Sequence, residues 1–319
     1  MAEIICTGTA LVDCIFSGGD AGTGYVESIA LYPGGDAFNE AVNIARLGGD
    51  CALYCGLGAD FAGEMLSETA AKAGLDLSLA EVSTKAATPV SGLFVDARGE
   101  RRSCVSAAHK IPYFQPDPSR TAGAKIVTMA SLFRPPFRDP AFAAAFARGV
   151  KERGALLYVD VKMPKNEQLR LSDFADTLAM ADFISPNETE AAYYSGEKEP
   201  MAQARTFLRL GVKTVLLKLG GDGCLVVRED ECFHVPAYDV PVADGVGAGD
   251  AFAAGLLMAL AERKELREAC EWATAAAALC VQTHGAVGGI QNRGQLESFM
   301  KNPPKRREML NFCATDLQV

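Results

Sequence analysis

The chain has few of the residues that build metal and redox centres. Among its 319 residues are three histidines and one tryptophan, and none of its ten cysteines forms a Cys-x-x-Cys pair. A zinc site is therefore not expected. Most of the cysteines lie in apolar runs, where a thiol serves as a small core residue. We therefore expect free thiols in a reducing compartment, and hence a cytoplasmic protein.

Positive charge and long apolar stretches are scarce as well. The 31 Lys and Arg residues are outnumbered by 40 Asp and Glu residues, which gives a net charge of −9, and no basic run is longer than residues 305–307. This balance disfavours a nucleic-acid surface. No apolar stretch approaches the length of a membrane span, and the first strand-like run begins near residue 3, so no signal peptide is expected. The protein is predicted to bind neither nucleic acid nor membrane.

Short apolar runs alternate with helical patterns along most of the chain. The predicted strands are residues 4–9, 51–56, 126–130, 156–161, 183–184, 214–219 and 224–228, and the predicted helices are 39–47, 64–73, 142–153 and 202–210. This alternation is typical of a parallel sheet covered by helices on both faces. No linker or repeat interrupts it, so residues 1–319 are predicted to form a single domain.

Two segments in the N-terminal third break the alternation. The first is rich in glycine over residues 14–31, and the second, residues 89–106, resembles antiparallel strands around a turn at 96–99. We interpret them as parts of one small flap over the sheet edge, with bounds of about 14–33 and 89–113. The alternative is a pair of ordinary surface hairpins.

The run Asp-Gly-Val-Gly-Ala-Gly-Asp at residues 244–250 is the most informative feature of the chain. It lies between a strand-like stretch at 233–242 and an Ala-rich helix that begins near Ala248. Unpaired amides at a helix start, here those of Gly247, Ala248 and Gly249, form an anion site, and phosphate is the usual anion. A carboxylate at Asp250 would repel a resting phosphate, so we predict that it accepts a proton from an attacking hydroxyl. The alternative is a structural cap, because acidic residues stabilise first helical turns.

Polar groups near the first strand predict a site for a small polyhydroxylated ligand. The glycine pair Gly34 and Gly35 would let a ligand rest against the backbone, and Asn39 offers a donor and an acceptor. Asp13 follows the first strand at the edge where parallel sheets bind ligands, and its carboxylate can hold two neighbouring hydroxyls. A tight turn, a helix cap and a solvated turn carboxylate are the structural alternatives.

Two further motifs favour a nucleotide. Asn187 and Glu190 have the spacing of a capping box, and they could also hold a hydrated Mg²⁺ near phosphates. Lys218 ends a strand before a flat turn that contains Gly220 and Gly223, which could admit a nucleotide or merely join two strands.

Taken in order, these motifs resemble the signatures of the ribokinase-like, PfkB-type carbohydrate kinases. The matching positions are Gly8 and Asp13, residues 34–41, residues 46–48, Asn187 with Glu190, Gly220 with Gly223, residues 244–252, and Gly285 with Ala286. Each motif is weak alone, but together they cover nearly the whole chain and are highly specific. The resemblance implies a Rossmann-like three-layer α/β/α sandwich with a mostly parallel central sheet and a small β-lid.

The same resemblance implies an ATP-dependent kinase that phosphorylates a hydroxymethyl group of a small sugar. Asp250 would be the general base, and the amides of Gly247, Ala248 and Gly249 would form the anion hole. The implied sugar-binding residues are Asp13, Gly34, Gly35 and Asn39, and the implied ATP-binding residues are Asn187, Lys218, Gly220 and Gly223, with the region 281–286. Glu190 would act on Mg²⁺ through water. Relatives often dimerise through the lid, so a homodimer is also implied.

One departure concerns a monovalent cation such as K⁺. Many relatives build its site from backbone groups beside the residues that match Asp244 and Val246. Gly245 stands where the family usually has Thr, Ser, Pro or Val, and this substitution is expected to loosen the loop and weaken the site.

Several functions compete with a sugar kinase. A dinucleotide oxidoreductase would need a strand and an acidic residue about 20 positions after the glycines, where a helix is predicted instead. A P-loop kinase is excluded because the chain has no Gly-x-x-x-x-Gly-Lys-Ser/Thr. A nucleoside kinase and a non-catalytic sugar-binding regulator of the same fold remain open.

The sequence leaves the acceptor open among fructose-like, ribose-like and acidic sugars. Asp36 is similar to a position in some 2-keto-3-deoxygluconate kinases, but the aromatic-Arg pattern of those enzymes is absent. Arg101, Arg102 and His109 lie near the second flap segment and could meet an acid or extra hydroxyls, although solvated residues are the simpler interpretation.

Overall fold

A large, mostly parallel sheet forms the centre of the protein. The computed structural model describes residues 2–19, 26–96, 101–105, 114–164 and 169–312. The strands are β1 (Ile4–Thr7), β2 (Leu11–Gly19), β3 (Ser28–Gly34), β4 (Cys51–Tyr54), β5 (Gly56–Gly58), β6 (Glu81–Ser83), β7 (Val90–Asp96), β8 (Arg101–Val105), β9 (Ile126–Leu132), β10 (Leu156–Val161), β11 (Phe183–Ser185), β12 (Val215–Lys218), β13 (Cys224–Val227) and β14 (Cys232–Val235). The helices are α1 (Asp36–Arg46), α2 (Phe61–Ala73), α3 (Pro140–Glu152), α4 (Ala175–Leu178), α5 (Glu188–Ser195), α6 (Pro200–Arg209), α7 (Ala248–Ala261), α8 (Leu266–Cys280) and α9 (Arg293–Lys301).

The central sheet has eight strands in the order β14-β13-β12-β11-β10-β9-β1-β4. Neighbours from β4 to β12 pair in parallel, whereas β12, β13 and β14 pair antiparallel at one edge. The β–α alternation of the sequence predicts the parallel part, because consecutive parallel strands need a crossover and helices supply it.

Alternate side chains of each strand enter two different cores. In β1, Ile4 and Cys6 pack with α1, α7 and α8 on one face, whereas Ile5 packs with α3 and α6 on the other. Because both faces are covered, the strands read as continuous apolar runs in the sequence. The result is the predicted three-layer α/β/α sandwich.

Several helices begin after a residue whose side chain caps them. Asp60, Asp139 and Asn187 precede α2, α3 and α5, and each side chain accepts a hydrogen bond from a backbone amide of the first turn. Gly74 and Gly196 end α2 and α5 in the left-handed conformation, which glycine adopts without strain. These caps fix where α5 starts, and therefore where Asn187 and Glu190 lie.

A second sheet has the strand order β3-β2-β7-β8. The predicted flap segments 14–33 and 89–113 supply most of its residues. The two outer pairs are antiparallel, but the central pair, β2 with β7, is parallel, which the hairpin pattern did not predict. Residues 97–99 of the predicted turn, and His109, lie outside the described residues, as do residues 20–25 and the side chains of Arg101 and Arg102.

Two details of the sequence prediction are wrong. The strand-like stretch at 233–242 is a strand only as far as Val235. Pro236 and Pro241 lack the N–H that would continue a ladder, so the chain reaches residue 244 as an irregular segment. Helix α1 begins at Asp36, three residues before its predicted start.

Among the cysteines that the structure describes, all but one follow the expectation of free thiols. Free thiols are found at Cys6, Cys14, Cys51, Cys55, Cys104, Cys224, Cys270 and Cys280. Cys232 is disulfide-bonded, contrary to the sequence-based expectation. In the described parts of the chain, no helix is long and apolar enough to cross a membrane.

Candidate active site

A deep cleft lies where the strand order of the central sheet reverses. From β1 the chain passes to β4 on one side, whereas β9, β10, β11 and β12 follow in order on the other side. Open parallel sheets bind ligands at this switch point, beyond the carboxyl ends of the strands. The cleft has a volume of about 780 Å³, and its polar groups come from the segments that follow β1, β9, β10, β11 and β12.

The cleft gathers most of the residues that the sequence singled out. Its lining includes Asp13, Gly35, Asn39, Asn187, Glu190, Lys218, Gly220, Gly223, Val246, Gly247, Ala248, Gly249 and Asp250. Gly34 and Asp244 are not in the lining and act from behind it. A Cβ at Gly34 would overlap the Asp13 carboxylate, so this glycine leaves room for that side chain.

The loop before α7 is held in a conformation that exposes backbone amides. Gly247 has φ 78°, and a Cβ there would overlap the backbone of Ala286. Asp244 ties the loop down, since its two carboxylate oxygens accept from the amides of Val246 (3.0 Å) and Gly285 (3.2 Å). A Cβ at Gly245, in contrast, would meet no atom within 4 Å.

The amides of this loop are only partly used by the protein itself. The Ala248 amide makes a long bond of 3.4 Å to the Gly245 carbonyl. Among the described residues, no acceptor is found for the amides of Gly247 and Gly249. These N–H groups are therefore open to an anion at the positive end of the α7 dipole.

Asp250 lies in the first turn of α7 and faces the cleft although it is only 5% exposed. Its Oδ2 accepts a hydrogen bond of 2.7 Å from Asn39 Nδ2. Burial, followed by the charge of Asp36, raises the pKa of Asp250 to about 7, against the opposing effect of Lys162. A carboxyl group with this pKa can take up and release a proton near neutral pH, as a general base must.

Asn39 has a role that the sequence did not reveal. Its place in the motif predicts direct contact with a ligand, yet its amide nitrogen holds the carboxylate of Asp250. The other side-chain atom, Oδ1, is buried and lacks a hydrogen-bond partner among the described residues. A buried acceptor without a donor is costly, so this oxygen is suited to receive a ligand hydroxyl beside Asp250.

Lys218 brings a positive charge next to the glycine loop. Its Nζ lies 2.8 Å from Asp160 Oδ1, and a Cβ at Gly249 would come within 3.2 Å of the same nitrogen. Burial alone would lower the pKa of Lys218, but Asp160 and Glu190 raise it. The side chain therefore stays charged, within reach of a group bound at the loop amides.

Asn187 and Glu190 form the predicted capping box. Asn187 Oδ1 accepts from the Glu190 amide and Glu190 Oε2 accepts from the Asn187 amide, both at 2.9 Å. Burial raises the pKa of Glu190, with a further contribution from Asp160. The described residues contain no group of three or more His, Cys, Asp or Glu that could hold a metal directly, which is compatible with a cation that keeps its waters.

The sequence analysis assigned no site role to four charged residues of the cleft, which are Asp36, Arg134, Lys162 and Arg307. Lys162 directly follows β10 and Arg134 follows β9, so both lie at the carboxyl edge of the sheet. Position at this edge was the reason for selecting Asp13 from the sequence. The same rule could have found them. Asp36 stands out in the sequence only as part of a motif, because an acidic first turn is ordinary for a helix.

One end of the cleft is lined by small and apolar side chains. They are Ala237, Val240, Val242, Ala277, Ala278 and Val281. Tyr238 and Arg307 complete this end, which adjoins the turn at Gly220 and Gly223. Of the region 281–286 implied by the family resemblance, Val281 lies here, whereas Ala286 supports Gly247 from behind.

Several known proteins are similar to this chain in sequence or in structure. The chain is 31% identical to the aminoimidazole riboside kinase of Salmonella typhimurium, over 85% of this chain and 88% of that protein. It is 30% identical to the ribokinase of Haemophilus influenzae, over 89% of this chain and 92% of that protein. The crystal structure of ribokinase from Thermotoga maritima superposes with a TM-score of 0.81 at 26% identity, covering 95% of this chain and 100% of that one.

The family profile described as "pfkB family carbohydrate kinase" matches residues 1–293, which include every cleft residue discussed above except Arg307. With the glycine loop, the buried carboxylate and the switch-point cleft all inside the matched region, the chain belongs to the pfkB family of ATP-dependent carbohydrate kinases.

Proposed function

We propose that the protein transfers the γ-phosphoryl group of ATP to a hydroxymethyl group of a small carbohydrate, with Asp250 as the general base. The observation that carries this proposal is the position of the Asp250 carboxylate, which is held by Asn39 and adjoins the open amides of the glycine loop. A base next to an anion site is what attack of an alcohol on a phosphoryl group requires.

The acceptor end of the cleft is the region around Asp13, Gly35 and Asn39. Asp13 can accept from two adjacent hydroxyls, and Gly35 lets the chain pack closely at this end, because a Cβ there would overlap the Thr9 and Ala10 backbone. The unpartnered Oδ1 of Asn39 would accept from a further hydroxyl. These groups would orient the sugar so that its primary hydroxyl lies against Asp250.

Proton transfer and charge stabilisation fall to neighbouring groups. Asp250 removes the hydroxyl proton as the oxygen approaches phosphorus, and the P–O bond to the β-phosphate breaks, which yields ADP and a sugar phosphate. The amides of Gly247, Ala248 and Gly249 would donate to the phosphoryl oxygens, and Lys218 would contribute positive charge from the other side. Preorganised donors of this kind are worth most in a site that excludes water.

The nucleotide would occupy the apolar end of the cleft. The base would lie between Val242 and Val281, and the flat turn at Gly220 and Gly223 would pass beneath it. Asn187 pairs with Lys218 through an isolated β-bridge and lines the same cleft, and the phosphates would run past it toward the glycine loop. A slot that is largely apolar, with few polar groups, is typical of cofactor sites.

Mg²⁺ and K⁺ are proposed on different grounds. When bound, Mg²⁺ would neutralise the ATP phosphates, and Glu190 would hold its waters through the carboxylate oxygen that the capping box does not use. The K⁺ site would use backbone oxygens near Asp244 and Val246. Gly245 stands where the family usually has a larger residue, and the looser loop is expected to weaken this site, so we expect little difference between KCl and NaCl in the assay.

The four-stranded sheet is proposed to be the β-lid, and its outer face a dimer interface. Asp13, Tyr32 and Ser91 pair across the strands on the face that turns to the cleft. The opposite face carries Phe16, stacked on Phe94 at 4.5 Å, beside Ile29, which is 61% exposed. An apolar face of this kind suits a second copy of the chain. Light scattering of Ile29→Lys should then show a smaller species than the unaltered protein.

The acceptor class is proposed to be a pentose or ketose, free or as a riboside. Nucleoside kinase activity stays a second candidate, because the relative with 31% identity is a riboside kinase by name. A sugar-binding regulator is the least favoured alternative, since a sensor has no need of a base.

The deciding experiment measures ADP release with MgATP and a panel of acceptors. The panel contains ribose, fructose, a sugar acid, aminoimidazole riboside and adenosine. The proposal predicts that at least one acceptor stimulates ADP release by the unaltered protein and that Asp250→Asn abolishes the stimulation. Binding of a sugar without any ADP release would support the regulator instead.

A further inference from the structure

Asp36 and Lys162 form an ion pair inside the cleft that no sequence motif predicted. Asp36 is the first residue of α1, and Lys162 directly follows β10, so the pair joins two elements that lie 126 residues apart in sequence. Lys162 Nζ lies 3.1 Å from Asp36 Oδ1, and the hydroxyl of Ser131 donates to Asp36 Oδ2. Both charged side chains belong to the lining of the cleft.

The pair is built next to the proposed base. Asp36 and Asn39 are three residues apart on α1, so they share one face of the helix, and Asn39 is bonded to Asp250 at 2.7 Å. The charge of Asp36 opposes ionisation of Asp250, and the charge of Lys162 favours it, so the two shift the pKa of Asp250 in opposite directions. Both carboxylates in turn raise the pKa of Lys162.

The pair itself stays ionised around neutral pH. Burial alone would raise the pKa of Asp36, but Lys162 and Ser131 reverse this effect and lower it. Burial alone would lower the pKa of Lys162, but Asp36 and Asp250 raise it well above its usual value. Asp36 is therefore an anchor for the ammonium group, and the ammonium is a fixed positive charge in the cleft that Asp250 also lines.

We propose that the Asp36–Lys162 pair positions the catalytic base, with Lys162 holding Asp250 in its ionised form and Asp36 fixing the ammonium group in place. The inference rests on the proposed function, since it needs Asp250 to be the base. It assigns Asp36 and Lys162 as positioning residues. A lone carboxylate at this depth would stay protonated and could not accept a proton from the acceptor hydroxyl.

Other groups around Asp250 do not supply this effect. The further titratable groups that face it from the surrounding elements are Asp160 and Tyr158 of β10, Glu40 of α1 and Cys280 of α8. Burial raises the pKa of Tyr158 well above its usual value and that of Cys280 to about 12. Both groups therefore stay neutral at the pH of an assay. Burial likewise raises the pKa of Glu40 well above its usual value, which favours the neutral acid.

Asp160 and Lys218, two further charges near this site, form an ion pair with each other. Asp160 opposes ionisation of Asp250 but is paired with Lys218 at 2.8 Å. Lys218 opposes protonation of Lys162, whereas Glu190 raises the pKa of Lys162. Lys162 is the positive charge that lowers the pKa of Asp250.

The test is the pH dependence of kcat/KM for the acceptor at saturating MgATP. Lys162→Met should move the acidic limb of the profile to higher pH by about one unit. Activity at a pH below the limb should then fall about tenfold, and it should recover near pH 9. Asp36→Asn should move the limb the other way, to lower pH, by at least as much, because Asp36 influences the pKa of Asp250 more strongly than Lys162 does. Lys162→Arg should keep the limb near its original position.

A matched control and a second variant make the outcomes decisive. Lys125 forms an ion pair with Glu3 on the surface, so Lys125→Met should leave the profile unchanged. The double variant Asp36→Asn with Lys162→Met should return the limb toward its original pH. An equal loss of activity at every pH in Lys162→Met, or a shift of both single variants in one direction, would overturn the inference.

Failure of this inference is distinguishable from failure of the proposed function. If Asp250→Asn abolishes activity while the limb does not respond to Asp36 and Lys162, only the positioning role is wrong. If Asp250→Asn keeps full activity, the proposed base is wrong. Should Lys162→Met fail to fold, the opposite shift in Asp36→Asn decides the case, and its absence contradicts the inference.

Discussion

Replacing Asp250 by Asn removes one ionisable group from the cleft and almost nothing else. The amide has nearly the same shape, and its oxygen can still accept the hydrogen bond that Asn39 donates to Asp250 at 2.7 Å. The fold should therefore survive. Turnover should fall by about 10²–10⁴, the usual contribution of a general base.

The same substitution should stabilise the protein, and the size of the effect follows from the raised pKa. In the unfolded chain an Asp titrates near its ordinary value of 3.8, whereas burial and then Asp36 raise the pKa of Asp250 to about 7 in the folded protein. Below the lower value both states are protonated and Asp250 costs no stability. As the pH rises toward 7, the unfolded state releases its proton first, so the fold loses stability progressively.

The penalty is complete above the folded pKa. A difference of about three units corresponds to about 4 kcal/mol at pH 8 and to about 2 kcal/mol at pH 5. Because Asn does not titrate, Asp250→Asn should exceed the unaltered protein in free energy of unfolding by these amounts. The gain must therefore grow between pH 5 and pH 8.

Urea unfolding of both proteins without ligands, at pH 5, 6.5 and 8, measures this difference. Lys125→Met serves as a control for loss of a surface charge. If the variant is inactive but its gain in free energy of unfolding over the unaltered protein does not grow from pH 5 to pH 8, the raised pKa is refuted. The assignment of Asp250 as the base could still hold in that case. Near-full activity in the variant would refute the assignment itself.

The remaining predictions concern the walls of the cleft. Gly247→Ala should destabilise the fold by about 2 kcal/mol, because φ 78° and the Ala286 backbone both exclude a side chain. Gly245→Ala is the matched control and should cost less than about 0.5 kcal/mol in the same urea titration. Asp13→Ala should raise the KM for the acceptor far more than the KM for ATP, and equal effects would contradict its role at the acceptor end. Lys218→Met should lower kcat by about 10²-fold, as loss of one charge-stabilising donor does, and an unchanged kcat would exclude it from the phosphoryl site.

The general plan of the fold could be predicted because it depends on periodicity. The runs at β1, β9 and β10 are apolar on both faces, which is typical of strands between two helical layers. The parallel pairing of β2 with β7 could not be predicted, because two helices and four strands lie between them in sequence and no local turn specifies the register. Strand β14 ends earlier than its apolar pattern indicates, because the missing N–H groups of Pro236 and Pro241 outweigh that pattern.

Residues of the site could be predicted where the backbone conformation requires a particular residue type, because that requirement is visible in the sequence. The positive φ of Gly247 needs glycine, and the capping box of Asn187 needs its partner three residues later. No such requirement marks Asp36. An acidic residue at the start of a helix is explained by the dipole alone, and only the approach of Lys162 from a distant strand shows that Asp36 has another partner.

The charges of the cleft also explain why a divalent cation should arrive with the nucleotide. Asp36, Asp160 and Asp250 bring carboxyl groups to the phosphoryl site, and Lys162 and Lys218 bring ammonium groups that are already paired with Asp36 and Asp160. Neither lysine is therefore a surplus charge that could neutralise a triphosphate. The open amides of the glycine loop can hold one phosphoryl group, but their partial charges do not offset a whole ATP. We therefore propose that ATP binds at this site together with positive charge from outside the chain, which Mg²⁺ would supply.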